Sequence, residues 1–376
     1  MRFSYFDIGY LLLVVSNILQ ITTINNAIIN DVLNFFGLAF LLINVISKKE
    51  KTKYLVLEIL IFIILFLSYL KSQSDLMIVV FLAGIAVRKI KLKELIKKDL
   101  MIRIPLVTLI CLAGFFEIIP NITFYMRGLY KNSLGFSHPN HLGIMLLVIV
   151  IYWFFLKHLK FKIYDYTFIL FILLIAYNIA GSRTSGYIIL FIISFEILTS
   201  ILNKMKKWHF IRIKIIGFIK YCYFMIPAVS VWLAYNFNPL IGWMTKLDGF
   251  MTGRLSLTFF AAKNNPLLLW GQSIEYKGGL SSNVMMEYRN AIDNSYIYIL
   301  LRLGILAFIV LVISLFVLLN YFQKTNNISA FYSLIFMIIA AFSESTMFEI
   351  SHNAFLLCLI PAVKLLKNKK NLILRR

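Results

Sequence analysis

Four arginines stand where a guanidinium group could hold a phosphate. Arg183 lies in GSRTSG and Arg254 in MTGRLSL, Arg127 precedes the segment GFSHPNHLG, and Arg302 belongs to DNSYIYILLRLG. A guanidinium group binds phosphate oxygens through paired hydrogen bonds and keeps its charge at physiological pH. These arginines therefore predict a site for a phosphate or pyrophosphate group. The alternative is a structural ion pair or a contact with lipid headgroups.

Three further side chains are candidates for a general base that accepts a proton from a hydroxyl group. They are Asp293 in AIDNSY, His138 in SHPNH and His352 in EISHNAF. His138 precedes a predicted helix and Asp293 opens one, so a plain capping or helix N-terminal role is the alternative for each. Glu344 and Glu349 flank the short loop before the last predicted helix. The spacing alone does not choose among these groups.

Other kinds of chemistry have no motif in this chain. There is no paired DxD carboxylate on an outer loop, no HExxH, no phosphate-binding P-loop and no Gly-x-Ser-x-Gly elbow. The cysteines Cys111, Cys222 and Cys358 all fall in apolar runs and have no metal-binding spacing, so we interpret them as small buried hydrophobes. We expect neither a metal site nor an organic cofactor.

The composition indicates a membrane protein. Of the 376 residues, 61% are hydrophobic and only 14% are charged, whereas a soluble domain carries about 25% charged residues. The net charge of +22 comes from short basic clusters between apolar runs, without interleaved aromatics, which argues against nucleic-acid binding. The first apolar run lacks a small-residue cleavage site, so no cleavable signal peptide is expected.

The apolar runs predict an all-α polytopic transmembrane bundle that forms one integral membrane domain over 1–376. Its twelve or so helices are expected at 8–24, 28–46, 54–70, 75–88, 100–118, 140–156, 164–180, 184–201, 214–235, 293–319, 328–343 and 352–366. If the N-terminus is cytoplasmic, the clusters SKKEKTK, RKIKLKELIKK and NKMKKWHFIRIK all lie inside, as the positive-inside rule requires. Both termini are then cytoplasmic. The segment 91–100 is interpreted as a basic loop, with an amphipathic interfacial helix as the alternative.

The candidate arginines run against this charge rule, because all four fall on or near the outer side. Two outer loops are long, at 119–139 and at 236–292, and the second joins the ninth and tenth helices. Long loops in a compact bundle tend to carry function. An arginine near membrane depth is costly unless it is paired or faces a polar cavity. The sequence therefore predicts an outer site for a lipid-linked phosphate.

Four motifs occur along the predicted outer side in this order: GFSHPNHLG, GSRTSG, MTGRLSL with NNPLLLWGQS, and DNSYIYILLRLG. In the order and membrane side of these motifs, the chain resembles the Wzy-type polysaccharide polymerases of the O-antigen ligase superfamily. The resemblance covers about 100–320, and the flanking helices match only in hydropathy. It implies a GT-C-like fold in a bacterial cytoplasmic membrane. It also implies metal-independent transfer of a glycan from undecaprenyl pyrophosphate to a sugar hydroxyl of an acceptor, making capsular or exopolysaccharide.

The resemblance also implies roles for matching residues. Arg183 and Arg254 would hold the pyrophosphate and neutralise the leaving group. Ligase members carry a His-Asn pair where this chain has Asp293 and Asn294, so a histidine base cannot be carried over there. Asp293 could serve as the base, or it could cap a helix while His138 or His352 serves. This departure favours a polymerase over a ligase.

The expected partners follow from the same resemblance. They are an undecaprenyl-pyrophosphate-linked oligosaccharide, the growing glycan, membrane lipid, and possible accessory proteins that regulate chain length or flip the lipid-linked sugar. Two alternatives stay open: a ligase that passes glycan to another acceptor, and a transporter or flippase for lipid-linked sugars. A flippase is expected to have internal repeats and helices broken near mid-membrane, and the sequence has no strong signal of either.

Overall fold

The computed structural model describes residues 3–46, 55–87, 91–126, 129–205, 207–276 and 290–367, and these are mostly α-helical. The helices are α1 (Tyr5–Gln20), α2 (Ala27–Ile46), α3 (Leu55–Ser72), α4 (Leu76–Ala86), α5 (Leu92–Phe115), α6 (Pro139–Lys157), α7 (Ile163–Leu174), α8 (Arg183–Leu202), α9 (Trp208–Cys222), α10 (Met225–Asn236), α11 (Gly242–Phe250), α12 (Arg254–Asn264), α13 (Ser295–Tyr298), α14 (Ile305–Lys324), α15 (Ile328–Ala340) and α16 (Leu359–Lys367).

Several of these helices are long and apolar enough to cross a membrane. Among the described residues they number five: α2, α6, α8, the joined span Trp208–Asn236 of α9 and α10, and α14. Large apolar side chains also point away from the protein, as at Ile28, Phe210 and Ile163, which are 75%, 71% and 81% exposed. Such surfaces are stable in lipid but costly in water. The helices and their apolar surfaces indicate a membrane-embedded all-α protein.

The helical segments follow the predicted apolar runs, with local differences. Residues 92–100 belong to α5, so this segment is helical and the prediction of a basic loop is wrong. The predicted helix 293–319 is interrupted: α13 leads into a π-helical turn, Ile299–Leu303, and α14 starts after Gly304, whose φ is +96°. The last predicted helix starts as a 3-10 turn, Ala354–Cys358.

Both long predicted loops contain regular structure that the sequence did not predict. The loop 119–139 holds an antiparallel hairpin of β1 (Thr123–Met126) and β2 (Leu129–Asn132). The loop 236–292 holds α11 and α12. These elements are too short and too polar to produce a hydropathy signal of their own, so an apolar-run analysis classes them as loop.

Helix α6 lies at the centre of the bundle and packs against α5, α8 and α15. Its sequence is apolar on nearly every side, which is typical of a helix that is buried all round. Gly143 lets the start of α8 come close, because a Cβ at that position would lie 2.4 Å from the Cβ of Ser182. The N-terminal part of α6 is thereby held against the residue that caps α8.

A buried ion pair within α5 lies against the loop 341–353, and its arginine also bonds to that loop. Arg103 donates from Nε to Asp99 Oδ1 at 2.6 Å and from Nη2 to the carbonyl oxygen of Ser351. Tyr10 on α1 donates its hydroxyl to Asp99 at 2.6 Å. All three side chains are fully buried. A charge inside the bundle requires such partners, because isolated it would cost several kcal/mol in lost solvation.

We expect Arg103→Leu to destabilise the protein by roughly 3–5 kcal/mol, because Asp99 would remain buried without a counter-charge. The thermal unfolding midpoint in detergent measures the effect. Met101→Ala is a matched control on the same helix, since that side chain is 63% exposed. The double variant Asp99→Leu/Arg103→Leu should recover part of the loss. A midpoint for Arg103→Leu equal to that of the control would contradict the prediction.

Candidate functional site

One cavity of about 470 Å³ lies where α6, α8 and α12 begin, next to the loop 341–353. We call it the candidate cavity. The charged and polar residues that line it are Lys131, His138, Asn140, His141, Arg183, Thr184, Thr252, Arg254, Tyr276, Asn290, Asp293, Tyr298, Arg302, Glu344, Ser345 and Thr346. The start of a helix carries a partial positive charge, which favours an anion nearby. At α12 the carboxylate of Asp248 already meets part of that charge.

His138 enters the cavity as the N-cap of α6. Its Nδ1 accepts a hydrogen bond from the backbone N–H of Asn140 at 3.1 Å. Burial lowers the pKa of His138 to about 4, helped by the neighbouring His141, Lys131 and Arg254. The ring is therefore neutral at pH 7. Because Nδ1 is an acceptor, the proton of the neutral ring resides on Nε2, and the side chain can offer a hydrogen bond to a ligand.

Arg183 is the first residue of α8 and follows Gly181, whose φ of +57° lies in the left-handed region. Glycine adopts this conformation without the steric cost of a Cβ, and the side chain of Lys131 packs over it. Arg183 is half-buried and lines the cavity. Its guanidinium group makes no hydrogen bond or ion pair with a carboxylate in the described parts of the chain, so it remains available to an anion.

Arg254 is the first residue of α12, and Asp248 on α11 fixes the start of that helix. The Asp248 carboxylate accepts from the backbone N–H groups of Leu255 and Ser256 at 2.9 and 3.1 Å. Gly253 precedes the helix with a φ of +85°. The acidic cap from a neighbouring helix satisfies two of the unpaired amides and complements the helix dipole. This local geometry directs Arg254 into the cavity.

Two carboxylates flank Arg254. Its Nη1 lies 2.8 Å from Glu344 Oε1, and its Nε lies 3.6 Å from Asp293 Oδ2. Thr184 on α8 donates to the same Glu344 oxygen at 2.9 Å. Burial raises the pKa of Glu344 to about 7, although Arg254 opposes the shift. The Glu344 carboxyl group therefore changes charge near neutral pH.

Asp293 does not cap the helix that follows it. The cap of α13 is Asn294, whose Oδ1 accepts from the backbone N–H groups of Tyr296 and Ile297 at 2.9 and 3.2 Å. Asn294 also donates to the carbonyl of Phe342 at 3.0 Å. The side chain of Asp293 is 34% exposed and lines the cavity. Its carboxylate is thus free of the capping role that was the alternative.

Arg302 reaches the cavity from the π-helical turn and donates from Nη1 to the hydroxyl of Tyr298 at 2.8 Å. The described part of the loop 236–292 packs directly on this turn, where Gln272 donates its backbone N–H to the carbonyl of Arg302 at 2.9 Å. Gly271 is required for this approach, since a Cβ would lie 2.1 Å from the Arg302 carbonyl oxygen. The loop segment around Gly271 therefore positions the turn that carries Arg302.

The structure brings together five of the seven predicted site residues, and they line the candidate cavity: His138, Arg183, Arg254, Asp293 and Arg302. Arg127 lies outside the described residues. His352 does not line the cavity: it is 2% exposed, its Nδ1 lies 3.3 Å from Glu349 Oε2, and its carbonyl accepts from Tyr152.

Several residues of the cavity have no role that the sequence alone predicts. In the sequence, Glu344 stands out only by its place in a short loop. Its position as an acid next to the end of an apolar helix is the one signal that marks it as a site candidate. Lys131 lies in the first long predicted loop and carries no motif of its own. Thr184 and Tyr276 carried no signal, because single hydroxyl residues are common in loops and helix starts. Only the fold places Thr184 against Glu344 and Tyr276 near Asp293.

Anionic phosphate ligands should bind more tightly below pH 7 than above it. Above its pKa of about 7, Glu344 is ionised and competes with the ligand for Arg254. The dissociation constant for inorganic pyrophosphate, measured by calorimetry, should rise from pH 6 to pH 8. This rise should be roughly three- to tenfold larger in the unaltered protein than in Glu344→Gln. The ligand's own titration is common to both proteins. Parallel pH profiles would refute the role of Glu344.

No protein-family model, no curated protein and no solved structure matches the chain. Three helix starts, several cationic side chains and two carboxylates meet in the candidate cavity, and these groups indicate its chemistry.

Proposed function

We propose that the protein is a membrane glycosyltransferase that polymerises undecaprenyl-pyrophosphate-linked oligosaccharide repeat units into capsular or exopolysaccharide. The observation that carries the proposal is the meeting of Arg183, Arg254 and Arg302 beside Asp293 in one cavity. These groups meet the needs of the reaction: cations for a phosphate leaving group and a carboxylate for the acceptor proton. The motif order that resembles the Wzy-type polymerases supports the same assignment, with a transfer that needs no metal.

The proposal includes a topology. The chain crosses a bacterial cytoplasmic membrane about twelve times in a GT-C-like arrangement, with both termini in the cytoplasm. The candidate cavity then opens at the outer face, beneath the large loop 236–292 between the ninth and tenth crossings. The placement of basic clusters supports this orientation. A lipid tail can stay in the bilayer while its sugar occupies the cavity.

Arg183 and Arg254 bind the pyrophosphate in this proposal. As the anomeric carbon–oxygen bond breaks, negative charge accumulates on the departing phosphate. Fixed guanidinium groups stabilise this transition-state charge more than they stabilise the bound substrate. Arg183 has no carboxylate partner in the described chain, whereas Arg254 is paired with Glu344. Arg183 is therefore the stronger phosphate ligand, and Arg254 gains strength when Glu344 takes up a proton. Arg302 adds a third cation beside Tyr298.

Asp293 is the general base in this proposal. Its carboxylate accepts the proton of the acceptor hydroxyl as that oxygen forms a bond to the anomeric carbon. His138 is poorly suited to the task, because its Nδ1 already accepts from Asn140 and its Nε2 carries the proton. We assign His138 a hydrogen bond from Nε2 to the phosphate or the sugar. His352 is buried away from the cavity and has no role in the transfer.

The decisive assay uses purified protein and an undecaprenyl-pyrophosphate oligosaccharide without added metal. The expected product is a glycan of several repeat units on the same lipid carrier. A ligase would use the same cavity but move the glycan to a different acceptor, so the identity of the product separates the two enzymes. Unchanged glycan length and unchanged carrier would exclude both.

Arg183→Lys should lower kcat/KM for the lipid donor by about tenfold to a hundredfold. Lysine keeps the charge but loses the paired hydrogen bonds that a guanidinium group makes to phosphate. Arg212→Lys is a matched control, because Arg212 lies on α9 and does not line the cavity. Normal polymer formation by Arg183→Lys would rule out bidentate phosphate binding at this position.

Asp293→Asn should reduce kcat by about a hundredfold or more without weakening the binding of the lipid donor, since an amide cannot accept the proton. The fold should be unaffected, because Asn294 caps α13. Asp31→Asn, at an exposed acid on α2, is the control. Turnover of Asp293→Asn close to that of the control would show that another group is the base.

A further inference from the structure

A second cavity, of about 730 Å³, lies at the other end of α6. The candidate cavity meets α6 at its first turn, whereas this one meets it at Phe155 and Leu156, near its last residue. The 19 residues of α6 span roughly 29 Å, which is close to the thickness of a hydrocarbon core. The two cavities therefore open at opposite faces of the membrane.

Lysines line the second cavity, which we call the lysine cavity. Lys91, Lys93 and Lys97 come from the start of α5, and Lys160 follows the end of α6. The lining includes the carboxylate of Glu94, which pairs with Lys91 at 3.2 Å. Lys93, Lys97 and Lys160 are exposed and make no ion pair with a carboxylate in the described ranges. The rim is therefore positively charged and open to an anion.

The floor of the lysine cavity is apolar. Phe155, Phe322 and Cys358 are buried there, and Leu156 and Tyr321 are partly exposed. A free inorganic anion has no favourable contact with such a floor. An amphiphile does, because its charged group can meet the lysines while its apolar part covers the aromatic rings.

The start of α15 adds hydrogen-bonding groups to the same cavity. Asn327 caps this helix of 13 residues by accepting from the backbone N–H of Ala330 at 3.3 Å. Ser329 donates its hydroxyl to Asn327 at 3.2 Å, and both residues line the cavity. The first turn of a helix of this length favours a negative group nearby. The cavity thus combines lysines, a helix start and an apolar floor.

We propose that the lysine cavity binds the phosphate-bearing headgroup of an anionic membrane lipid. Lys93, Lys97 and Lys160 contact the phosphate, and the glycerol and upper acyl carbons lie against Phe155 and Phe322. A site at the membrane face with lysines at its rim and apolar side chains on its floor has the chemistry of a lipid headgroup site. The lipid is a structural ligand at the opposite end of α6 from the glycosyl transfer, so the proposal does not depend on the proposed function.

The test compares lipid binding by the purified full chain and by two triple variants. Lys93→Gln/Lys97→Gln/Lys160→Gln removes the charges of the cavity. Its matched control removes three exposed lysines around the junction of α8 and α9: Lys204→Gln/Lys207→Gln/Lys214→Gln. Retention of phosphatidylglycerol against phosphatidylcholine in mixed micelles is measured by native mass spectrometry, and size-exclusion profiles check that each variant is folded.

The unaltered protein and the control should retain phosphatidylglycerol, and the cavity variant should need about ten times more of it for half-saturation, or more. Equal affinity in all three proteins would overturn the proposal. Equal weakening in both variants would also overturn it, because it would indicate a general surface attraction. Inorganic phosphate should displace the lipid only far above the lipid's own concentration. Displacement at matching concentrations would identify a soluble anion as the ligand.

Discussion

The ion pair between Arg254 and Glu344 holds the candidate cavity together. Both side chains are almost fully buried, at 4% exposure each, so neither charge is stable there alone. Thr184 donates to the same carboxylate, and α8, α12 and the loop 341–353 are thereby fixed at one point. The serine hydroxyl of Ser295 donates to the backbone carbonyl of Glu344, which adds the start of α13. The contacts between these elements follow from the need to satisfy two buried charges.

A second buried pair supports the same loop from the interior. Arg103 and Asp99 lie inside the bundle, and Arg103 donates to the carbonyl of Ser351. Tyr152 on α6 contacts the loop as well, donating to the carbonyl of His352 at 3.2 Å and accepting from the N–H of Ala354 at 2.8 Å. The loop 341–353 is therefore held by polar contacts at both ends, which fixes the position of Glu344 relative to Arg254.

The arginines of the cavity are not equivalent. Arg183 has no carboxylate partner in the described chain, while Arg254 has two within reach. A cation that is already paired binds an added anion less strongly, unless one of its partners becomes neutral. Glu344, with a pKa raised by burial, can do so near pH 7. In the empty cavity Arg254 is paired with carboxylates, so its buried charge is not left without a partner. When a phosphate enters, Glu344 can take up a proton, which removes one negative charge next to Arg254.

The amino-acid sequence by itself determined the membrane environment, the approximate helical segments and most of the site candidates. These features depend on local composition: apolar runs of membrane length, and arginines such as Arg183 and Arg254 placed against the charge rule. Only the tertiary structure decided which candidates meet. It placed Asp293 beside Arg254, gave the helix cap to Asn294, and left His352 outside the cavity. Glu344 could not be ranked from the sequence, because its pKa and its partners depend on burial and on contacts between residues distant in the chain, which a linear pattern does not encode.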